Sequence, residues 1–464
     1  MVDLSSLAAL IPEVKKPDVE RLAFNKKLFW TGIVLVLFFI LSYIPLMGLG
    51  QNALQQFEYL SIILGASFGS VISLGIGPIV TASIVMQLLV GSNLLALDMS
   101  KKEDKIKFQN LQKLAVVFFI LFEASVYVLM GGLAPDSAYA GTLHYKILQI
   151  ALIAQLALGG FLIMLMDEVV SKWGFGSGVG LFIVAGVAAQ IFIRAFNPLP
   201  SPQNPDVPIG QVWYLFKALS IGDSTGAALA ITAIGVTIAV FLISVYVQAI
   251  KVEIPLSFGR MRGFGIRWPL RFIYTSNIPV ILIAALMANI QLWAKLLQNA
   301  GYPILGTFSG NVPATGLVKW IHSPEVIPSL ITGSATLTMI GQTLVYLLFM
   351  TGGAVLFSIL WVKTSGMDAA SQARQILASG LQIPGFRRDP RVLESILNRY
   401  IPALTVLGAI TVGALAALAD LGGALSRGTG ILLSVMIMYR LWEDIAKQHA
   451  FDIHPALKKL ISFE

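Results

Sequence analysis

The stretch "LGIGPIVTASIVMQLLVG" (Leu74–Gly91) combines the apolarity of a membrane span with residues that break helices. Gly75, Gly77 and Pro78 cluster at its start, and a proline within a helix removes a hydrogen-bond donor and clashes with the preceding turn. The run before it, Glu58–Ser73, is also mostly apolar. Together the two runs are too long for one span and too interrupted for one helix. The sequence therefore predicts a crossing made of two unequal pieces.

The composition is that of a multi-spanning membrane protein. Of 464 residues, 56% are hydrophobic and only 12% are charged, and the mean hydropathy is +0.80. Several apolar runs approach the roughly 20 residues that cross a bilayer as a helix. Their continuous apolarity predicts helices, because the strands of a membrane barrel would alternate. The chain has no cysteine, which excludes disulfides and thiolate metal sites.

Ten crossings are predicted, and the first is interpreted as a retained span because it is too long for the core of a signal peptide. They cover approximately residues 29–48, 59–91 (the broken crossing), 114–134, 147–166, 175–196, 227–250, 272–293, 335–362, 401–419 and 429–446. With the N-terminus inside, the inner segments hold 26 of the 32 Lys and Arg residues. The positive-inside rule then predicts that both termini are cytosolic.

The longest proline-rich break, Asn197–Gly210, separates five crossings from five. An odd number per half forces the second half to run upside down relative to the first, although no residue-level repeat is visible. Inverted halves place a pathway at their interface, so the chain is predicted to be a channel or a transporter. The predicted organisation is a cytosolic segment 1–28, a five-span half 29–196, an external linker 197–226, a second half 227–446 and a cytosolic tail 447–464.

A hydrolase is a weaker alternative. "GASFG" (Gly65–Gly69) matches the G-x-S-x-G pattern, but that motif needs a strand-to-helix turn and a histidine partner. The histidines all fall in predicted loops or the tail: His144, His322, His449 and His454. We interpret this motif, and "GFGSGVG" (Gly174–Gly180), as close helix packing by small residues. No catalytic residue, metal site or cofactor is predicted, and the chain is not expected to be an enzyme.

Few charges lie within the predicted spans, which disfavours an ion-coupled transporter, although an inverted-repeat secondary transporter is kept as the alternative. Glu123 alone sits in the middle of a span. Asp167 and Glu168 lie at the cytosolic end of the fourth crossing, and Asp420 at the outer end of the ninth. Other polar residues within spans are Thr81, Gln87 and Asn289. The simplest interpretation of Glu123 and of these three is interhelical hydrogen bonding.

Two cytosolic loops, 251–271 and 363–400, are strongly basic. Gly259, Gly263 and Gly265 make a hairpin-like tip plausible in the first loop, and such an excursion reaches beyond the lipid headgroups. Ordinary positive-inside bias with anionic lipid is one explanation of the charge. Arginine also suits phosphate, and RNA is a large phosphate surface.

Several long motifs resemble the SecY family, the large subunit of the Sec protein-conducting channel. They are "LGIGPIVTASIVMQLLVG" (Leu74–Gly91), "DEVVSKWGFGSGVGLFI" (Asp167–Ile183), "SNIPVILIAALMANIQLW" (Ser276–Trp293) and "GTGILLS" (Gly428–Ser434). "IPEVKKP" (Ile11–Pro17) is similar to the archaeal and eukaryotic branch. The resemblance covers essentially the whole chain in order and is least distinctive in the outer loop Tyr302–Thr332.

The resemblance implies an all-α membrane protein with ten transmembrane helices, arranged as two inverted five-helix halves around a central hourglass pore. It also explains the broken crossing: 58–68 would be a short external plug helix, and Leu74–Gly91 would line a lateral gate. A helix of about ten residues reaches only halfway across a bilayer and must sit against protein or water. The plug residues implied are Glu58, Tyr59, Leu60, Ile62, Ile63, Leu64, Gly65, Ser67 and Phe68.

The function implied is that of the central channel subunit of the Sec translocon, which passes unfolded polypeptides and releases hydrophobic segments sideways between the second and seventh crossings. The pore ring implied is Ile76, Val80, Val179, Ile183, Ile281 and Leu433. Its first two pairs are each four residues apart, which places each pair on one helix face. The lateral-gate residues implied are Thr81, Gln87, Glu123 and Asn289, and the ribosome-binding residues are Arg260, Arg262 and Arg387.

The partners implied are a SecE-like (gamma) subunit, a Sec-beta subunit, the ribosome, signal peptides with the nascent secretory or membrane proteins that carry them, and the lipid bilayer. The expected location is the plasma membrane, as a multi-pass protein. Energy for movement would come from a partner.

Overall fold

The computed structural model describes residues 11–19, 22–50, 69–91, 94–95, 97, 101–201, 204–258, 265–309, 312–378, 381–382 and 389–453. Among them, ten long helices correspond one to one with the predicted crossings. These are α1 (Phe24–Tyr43), α2 (Gly77–Gly91), α3 (Lys102–Leu129), α4 (Leu143–Trp173), α5 (Gly178–Phe196), α7 (Ser224–Ala249), α8 (Ile278–Asn299), α11 (Leu337–Thr364), α13 (Pro390–Leu421) and α14 (Gly428–Ile453). The shorter helices are α6 (Gln211–Ile221), α9 (Gly316–Trp320), α10 (Val326–Ile331) and α12 (Ala369–Ala378).

Eight of the long helices are long and apolar enough to cross a membrane, and the other two are α2, with 15 residues, and α14. The predicted all-α membrane fold is therefore confirmed. Burial separates central helices from peripheral ones. In α8, 67% of the apolar window is buried within the protein, against 17% in α1 and in α7. The pathway between the halves must therefore be sought around α8, while α1 and α7 present apolar surface to lipid.

The helix of the second crossing begins at Gly77, three residues later than the predicted start at Leu74. Residues 69–76 form consecutive turns instead, with the Gly75 N–H donating to the Ile72 carbonyl at 2.9 Å and the Gly77 N–H to the Leu74 carbonyl at 3.2 Å. Gly75 has φ +54°, in the left-handed region that favours glycine. This conformation reorients the chain, and a regular helix starts only after it.

A three-stranded sheet connects the two basic loops that are predicted to be cytosolic. Strands β3 (Lys251–Phe258) and β4 (Gly265–Arg271) pair antiparallel, which confirms a hairpin in the first loop. Strand β7 (Leu381–Gln382) from the second loop pairs antiparallel with the far end of β3, where Phe258 faces Leu381. The hairpin packs on the cytosolic extension of α13 through an apolar cluster that includes Ile254, Leu270, Leu393 and Leu397.

The external connections also contain regular structure. The predicted linker 197–226 holds strands β1 (Pro200–Ser201) and β2 (Asn204–Pro208), followed by α6. Asp223 then caps α7, since its Oδ1 accepts the Gly226 N–H at 2.9 Å. The outer loop between α8 and α11 holds α9, α10 and a short pair of strands, β5 (Phe308–Ser309) and β6 (Val312–Pro313).

Four alternating charges bind the segment before α1 to α3 and α4, near the helix ends that are predicted to be cytosolic. Lys113 of α3 lies 2.7 Å from Glu168 and 3.2 Å from Glu13. Lys172 of α4 lies 3.1 Å from Glu168 and 2.7 Å from Glu13. The Val14 N–H also donates to Glu168 at 2.9 Å. The ammonium groups of Lys172 and then Lys113 hold the pKa of Glu13 below its ordinary value.

We expect acid to release this segment, because protonation of Glu13 removes one charge from the network. The Glu13 pKa is lowered in the folded state. The stability that the Glu13 carboxylate contributes is therefore fully present above the ordinary pKa of 4.5 and is lost as the pH falls through the lowered pKa. Hydrogen–deuterium exchange at the Val14 amide, corrected for intrinsic exchange, measures the release.

Glu13→Gln should speed exchange at Val14 already at neutral pH. Asp18→Asn is the matched control, because the Asp18 carboxylate is 90% exposed and lies 3.9 Å from Lys15. Equal Val14 protection in Glu13→Gln and in the unmodified protein would show that the network does not hold the segment.

Candidate pore and lateral gate

A small apolar cavity lies where α2, α5, α8 and α14 approach one another. Its free space is only about 20 Å³, roughly enough for one water molecule. Its aliphatic wall includes Ile76, Ile183, Ile281 and Leu433, four of the six residues predicted for the pore ring. Three of these come from α5, α8 and α14, and Ile76 lies in the turn segment immediately before α2. Residues from both halves of the chain thus meet at one narrow apolar point.

The other two predicted ring residues, Val80 and Val179, belong to the same apolar cluster but do not line the cavity. The spacing of four residues placed each pair on one helix face, yet the structure brings only one member of each pair to the wall. Ile76 precedes α2, so it shares no helix face with Val80. Val179 lies in the first turn of α5, where its N–H donates to Asp167 at 2.9 Å.

The wall also contains residues that the sequence analysis did not identify. The aliphatic or small ones are Val187, Ala284, Ala285 and Gly430, and the polar ones are Arg427 and Thr429. Helical spacing gave a usable signal for some of them, because Val187 follows Ile183 by four residues and Ala284 follows Ile281 by three. No comparable signal identified Arg427, which directly precedes α14.

Three of the four predicted gate residues form one hydrogen-bonded cluster across three helices. Thr81 of α2 lies between them: its Oγ1 accepts from Nδ2 of Asn289 on α8 at 2.9 Å and is 3.0 Å from Oε1 of Glu123 on α3. Glu123 is 5% exposed. The cluster thus ties α2 to α3 on one side and to α8 of the other half on the other side.

The Thr81 hydroxyl has a second acceptor within its own helix. Its Oγ1 lies 2.9 Å from the carbonyl oxygen of Gly77, one turn earlier. A hydroxyl has one proton to donate, so it can choose between Glu123 and Gly77. Separation of α2 from its neighbours would therefore leave the Thr81 hydroxyl bonded. That lowers the cost of breaking the bond from Thr81 to Glu123, which joins α2 to α3.

The fourth predicted gate residue, Gln87, lies outside this cluster. It is 3% exposed, six residues along α2 from Thr81, and its Oε1 has no hydrogen-bond partner among the described residues. A separate bond joins α2 to α3 there, from Nε2 of Gln112 to Oγ of Ser83 at 2.8 Å. The hydrogen bond between α2 and α8 is therefore made at Thr81 and Asn289, while Gln190 of α5 accepts from Ser426 of the second half at 3.0 Å elsewhere between the halves.

Glycine allows close helix packing both within the second half and between the halves. A Cβ at Gly353 of α11 would lie 2.3 Å from the Cδ1 of Ile283 on α8. A Cβ at Gly91 of α2 would lie 2.4 Å from a methyl group of Leu360 on α11. These close approaches bring α2, α8 and α11 together without a polar contact, as small residues do in membranes.

Asp420 does not stand alone at the outer end of α13. Its Oδ2 accepts from the Tyr346 hydroxyl of α11 at 2.5 Å and from the Thr429 hydroxyl, and its Oδ1 accepts the Thr429 N–H at 2.8 Å. Thr429 itself lines the cavity. This network joins three helices of the second half beside the cavity, and the sequence indicated only the isolated carboxylate.

The predicted plug and ribosome-binding residues lie outside the described residues: 58–68, Arg260, Arg262 and Arg387. The described residues on either side of 51–68 form backbone hydrogen bonds with other segments. The Gly50 N–H donates to the Ala134 carbonyl at 3.0 Å, and the Leu46 N–H donates to the Gly69 carbonyl at 2.8 Å. The strands that precede Arg260 and Arg387 are paired with each other, β3 with β7.

Comparison with known protein families identifies two matching family profiles that together cover most of the chain. The SecY family profile matches residues 70–442, and the profile of the plug domain of Sec61p matches residues 36–69. The protein translocase subunit SecY of Methanothermobacter thermautotrophicus is 47% identical over 98% of this chain and 97% of its own length. That of Methanocaldococcus jannaschii is 40% identical over the full length of both chains.

Solved structures give the same result. A protein-conducting channel superposes with a TM-score of 0.82 at 39% identity, covering 98% of this chain and 99% of that one. Sec61 in the canine ribosome–channel complex superposes with a TM-score of 0.79, at the same identity and coverage. These relatives support the channel interpretation and not the transporter alternative. The chain therefore belongs to the SecY family, as a multi-span membrane subunit of a protein translocase.

Proposed function

We propose that this chain forms the central channel through which unfolded polypeptides cross the membrane. In this proposal Ile76, Ile183, Ile281 and Leu433 are the core of its constriction, with Val80 and Val179 behind them. The supporting observation is the narrow cavity at the contact of the two halves, where aliphatic side chains from four different elements make up most of the wall and Arg427 and Thr429 are its polar members. The alternative that these residues are ordinary packed aliphatics does not account for their convergence on one shared free space.

An aliphatic constriction suits a channel for polypeptides. Every kind of side chain must pass, so a charged or hydrogen-bonding waist would retain some residues and stall them. Branched aliphatic side chains make no directional bonds and can move aside. In the absence of a chain, a narrow apolar constriction excludes water and therefore ions. The proposed plug, 58–68, would add a second seal on the external side.

We propose further that the seam between α2 and α8 is the lateral gate and that Thr81, Glu123 and Asn289 hold it closed. Two features support this role: the seam joins the two halves, and its polar closure is a hydrogen bond that Asn289 donates to Thr81. A hydrophobic segment could then enter lipid sideways while little hydrogen bonding is lost. Gln87 has no part in this proposal.

The proposed partners follow from the family and from the basic loops. Sec61, a relative, has been solved in a ribosome–channel complex, and we propose that Arg260, Arg262 and Arg387 bind ribosomal RNA here. SecE-like and Sec-beta subunits, signal peptides and nascent chains complete the proposal. It places the chain in the plasma membrane with cytosolic termini. The proposed activity requires no catalytic residue of this chain.

Replacing the ring residues with serine should open the resting constriction to ions, because smaller polar side chains widen and wet it. We expect Ile183→Ser with Leu433→Ser to raise the resting ion conductance of the reconstituted complex several-fold, while polypeptide translocation continues. Planar-bilayer recording measures the conductance.

The matched control carries serines on the same two helices but on their outer faces. Ile193→Ser with Met438→Ser suits this, since these side chains are 46% and 54% exposed. A tight channel after the inner replacements, or an equal leak after the outer ones, would contradict the ring assignment.

Removing the polar closure should make the gate easier to open. Thr81→Val preserves volume and Asn289→Leu keeps the branched shape with a larger apolar side chain, and together they remove interhelical bonds that contribute about 0.6 to 2 kcal/mol each in membranes. We expect signals of lower hydrophobicity to be inserted, measured with a graded series of signal sequences.

Gln112→Leu is the control for this experiment, because it breaks the bond from α3 to α2 but leaves the contact with α8 intact. If the hydrophobicity threshold stays fixed in the double variant, or moves equally in the control, the cluster is only structural.

Charge reversal in the basic loops should weaken ribosome binding and its salt dependence together. For Arg260→Glu, Arg262→Glu and Arg387→Glu, we expect the slope of log affinity against log salt to fall by about 2 to 3, since each phosphate contact contributes about 0.7 to 0.9. Co-sedimentation with ribosomes over a salt series provides the measurement.

Lys101→Glu, Lys105→Glu and Lys107→Glu reverse the same number of charges near the cytosolic start of α3 and serve as the control. Equal losses in the two triple variants would indicate general electrostatics rather than a binding site at the loop tips.

A further inference from the structure

Two junctions between helices, one in each half, are built in the same way. In the last two turns of α4, Oδ1 of Asp167 accepts the N–H of Val179, the second residue of α5, at 2.9 Å. At the end of α13, Oδ1 of Asp420 accepts the N–H of Thr429, the second residue of α14, at 2.8 Å. Each half thus uses one carboxylate of its fourth crossing to cap the N-terminus of its fifth.

Glycine allows each carboxylate to reach its helix. A Cβ at Gly178, the first residue of α5, would lie 2.5 Å from Cα of Asp167. A Cβ at Gly428, the first residue of α14, would lie 2.1 Å from the carbonyl carbon of Ala419, next to Asp420. Both distances are too short for any side chain, so in both halves the backbone of one helix rests directly on the preceding helix.

The two capped helices also pack against each other reciprocally. A Cβ at Gly180 of α5 would lie 3.2 Å from Ile437 of α14, and a Cβ at Gly430 of α14 would lie 3.2 Å from Val187 of α5. Counted from the first residue of each helix, both contacts join the third residue to the tenth. Such a pattern arises when two helices are related by a two-fold axis that passes between them.

The cavity lies on this symmetric pair. Ile183 and Leu433, which both line it, are each the sixth residue of their helix, five after Gly178 and Gly428. A helix turns by about 100° per residue, so a small rotation of either helix would carry its aliphatic side chain away from the cavity. Something must therefore fix the rotation and height of α5 and α14.

We propose that Asp167 and Asp420 are positioning residues, one in each half, that hold α5 and α14 in register and so direct Ile183 and Leu433 into the constriction. This inference rests on the ring assignment proposed above. Carboxylates are costly within a membrane protein, and these two are placed where the N–H groups at a helix start offset the cost. Neither carboxylate lines the cavity, so each would act through the helix that it caps.

The test compares Asp167→Ala and Asp420→Ala with a capping aspartate elsewhere. Asp223→Ala is the matched control, because Asp223 caps the peripheral helix α7 with a bond of the same length. We expect both pore-helix variants to raise the resting ion conductance of the reconstituted complex several-fold and the control to leave it unchanged. Asp167→Asn and Asp420→Asn retain an acceptor oxygen but lose the charge that strengthens the cap, so they should leak less than the alanine variants and more than the unmodified complex.

A second measurement keeps the proposal testable if an alanine variant fails to fold. The chain has no cysteine, so spin labels at Phe192→Cys on α5 and Met438→Cys on α14 report one distance. Both positions are more than half exposed. We expect the asparagine variants to broaden this distance distribution relative to the unmodified complex, while the Asp223→Ala control does not. An unchanged distribution in both asparagine variants would overturn the proposal.

Ile183→Ser with Leu433→Ser separates this inference from the ring assignment. If the serine variant leaks and both aspartate variants stay sealed, the aspartates do not position the ring, and the ring assignment stands. If the serine variant stays sealed, the ring assignment fails, and the inference fails with it whatever the aspartate variants do. Leaks in the serine and aspartate variants, with a sealed Asp223→Ala control, support both.

Discussion

A backbone that leaves the helical conformation inside a membrane must find hydrogen bonds within the protein, because lipid supplies none. This requirement governs the second crossing. Its turn segment, residues 69–76, is bonded to itself and to the chain after α1, and Ile72, Ser73 and Leu74 have no exposed surface. Gly159 of α4 makes the room, since a Cβ there would lie 1.8 Å from the carbonyl oxygen of Val71. The break at the centre of the protein is therefore possible only because other helices enclose it.

The same break supplies the features that a channel needs. It delivers Ile76 to the cavity from a segment that is not a helix, and it starts α2 short, with Thr81 one turn inside. A closed seam must be stable enough to keep lipid and ions out and weak enough to open for a passing segment. One hydrogen bond from Asn289 to Thr81 and close glycine packing meet both demands, because such a bond contributes only about 0.6 to 2 kcal/mol in a membrane and the glycine contacts involve no polar side chain.

Much of this architecture could be predicted from the sequence. Apolar runs, basic loops and a proline-rich break indicated ten helices in two halves, and each predicted crossing overlaps one long helix. Positions within helices were harder. Leu74 precedes the helix that it was predicted to begin, because the φ of Gly75 reorients the chain. Val80 and Val179 share the apolarity of the residues on the wall, and only the three-dimensional placement of α2 and α5 separates them from it. Spacing along one helix cannot reveal which neighbours complete a cavity.

The relation between the two halves is the clearest example of a feature that the sequence alone does not reveal. No repeat is visible along the sequence, since "GVGLFI" and "GTGILL" share two glycines and otherwise only apolar character. The structure nevertheless relates them position by position along α5 and α14. The first residues contact the preceding helix, the second are capped, the third and tenth pack together, and the sixth line the cavity. At a close contact the backbone position matters, and only glycine is required there. At an aliphatic wall, volume matters and several side chains suffice. Two halves can therefore keep equivalent contacts while most residue identities differ, and the symmetry is retained in the geometry of the contacts around the cavity.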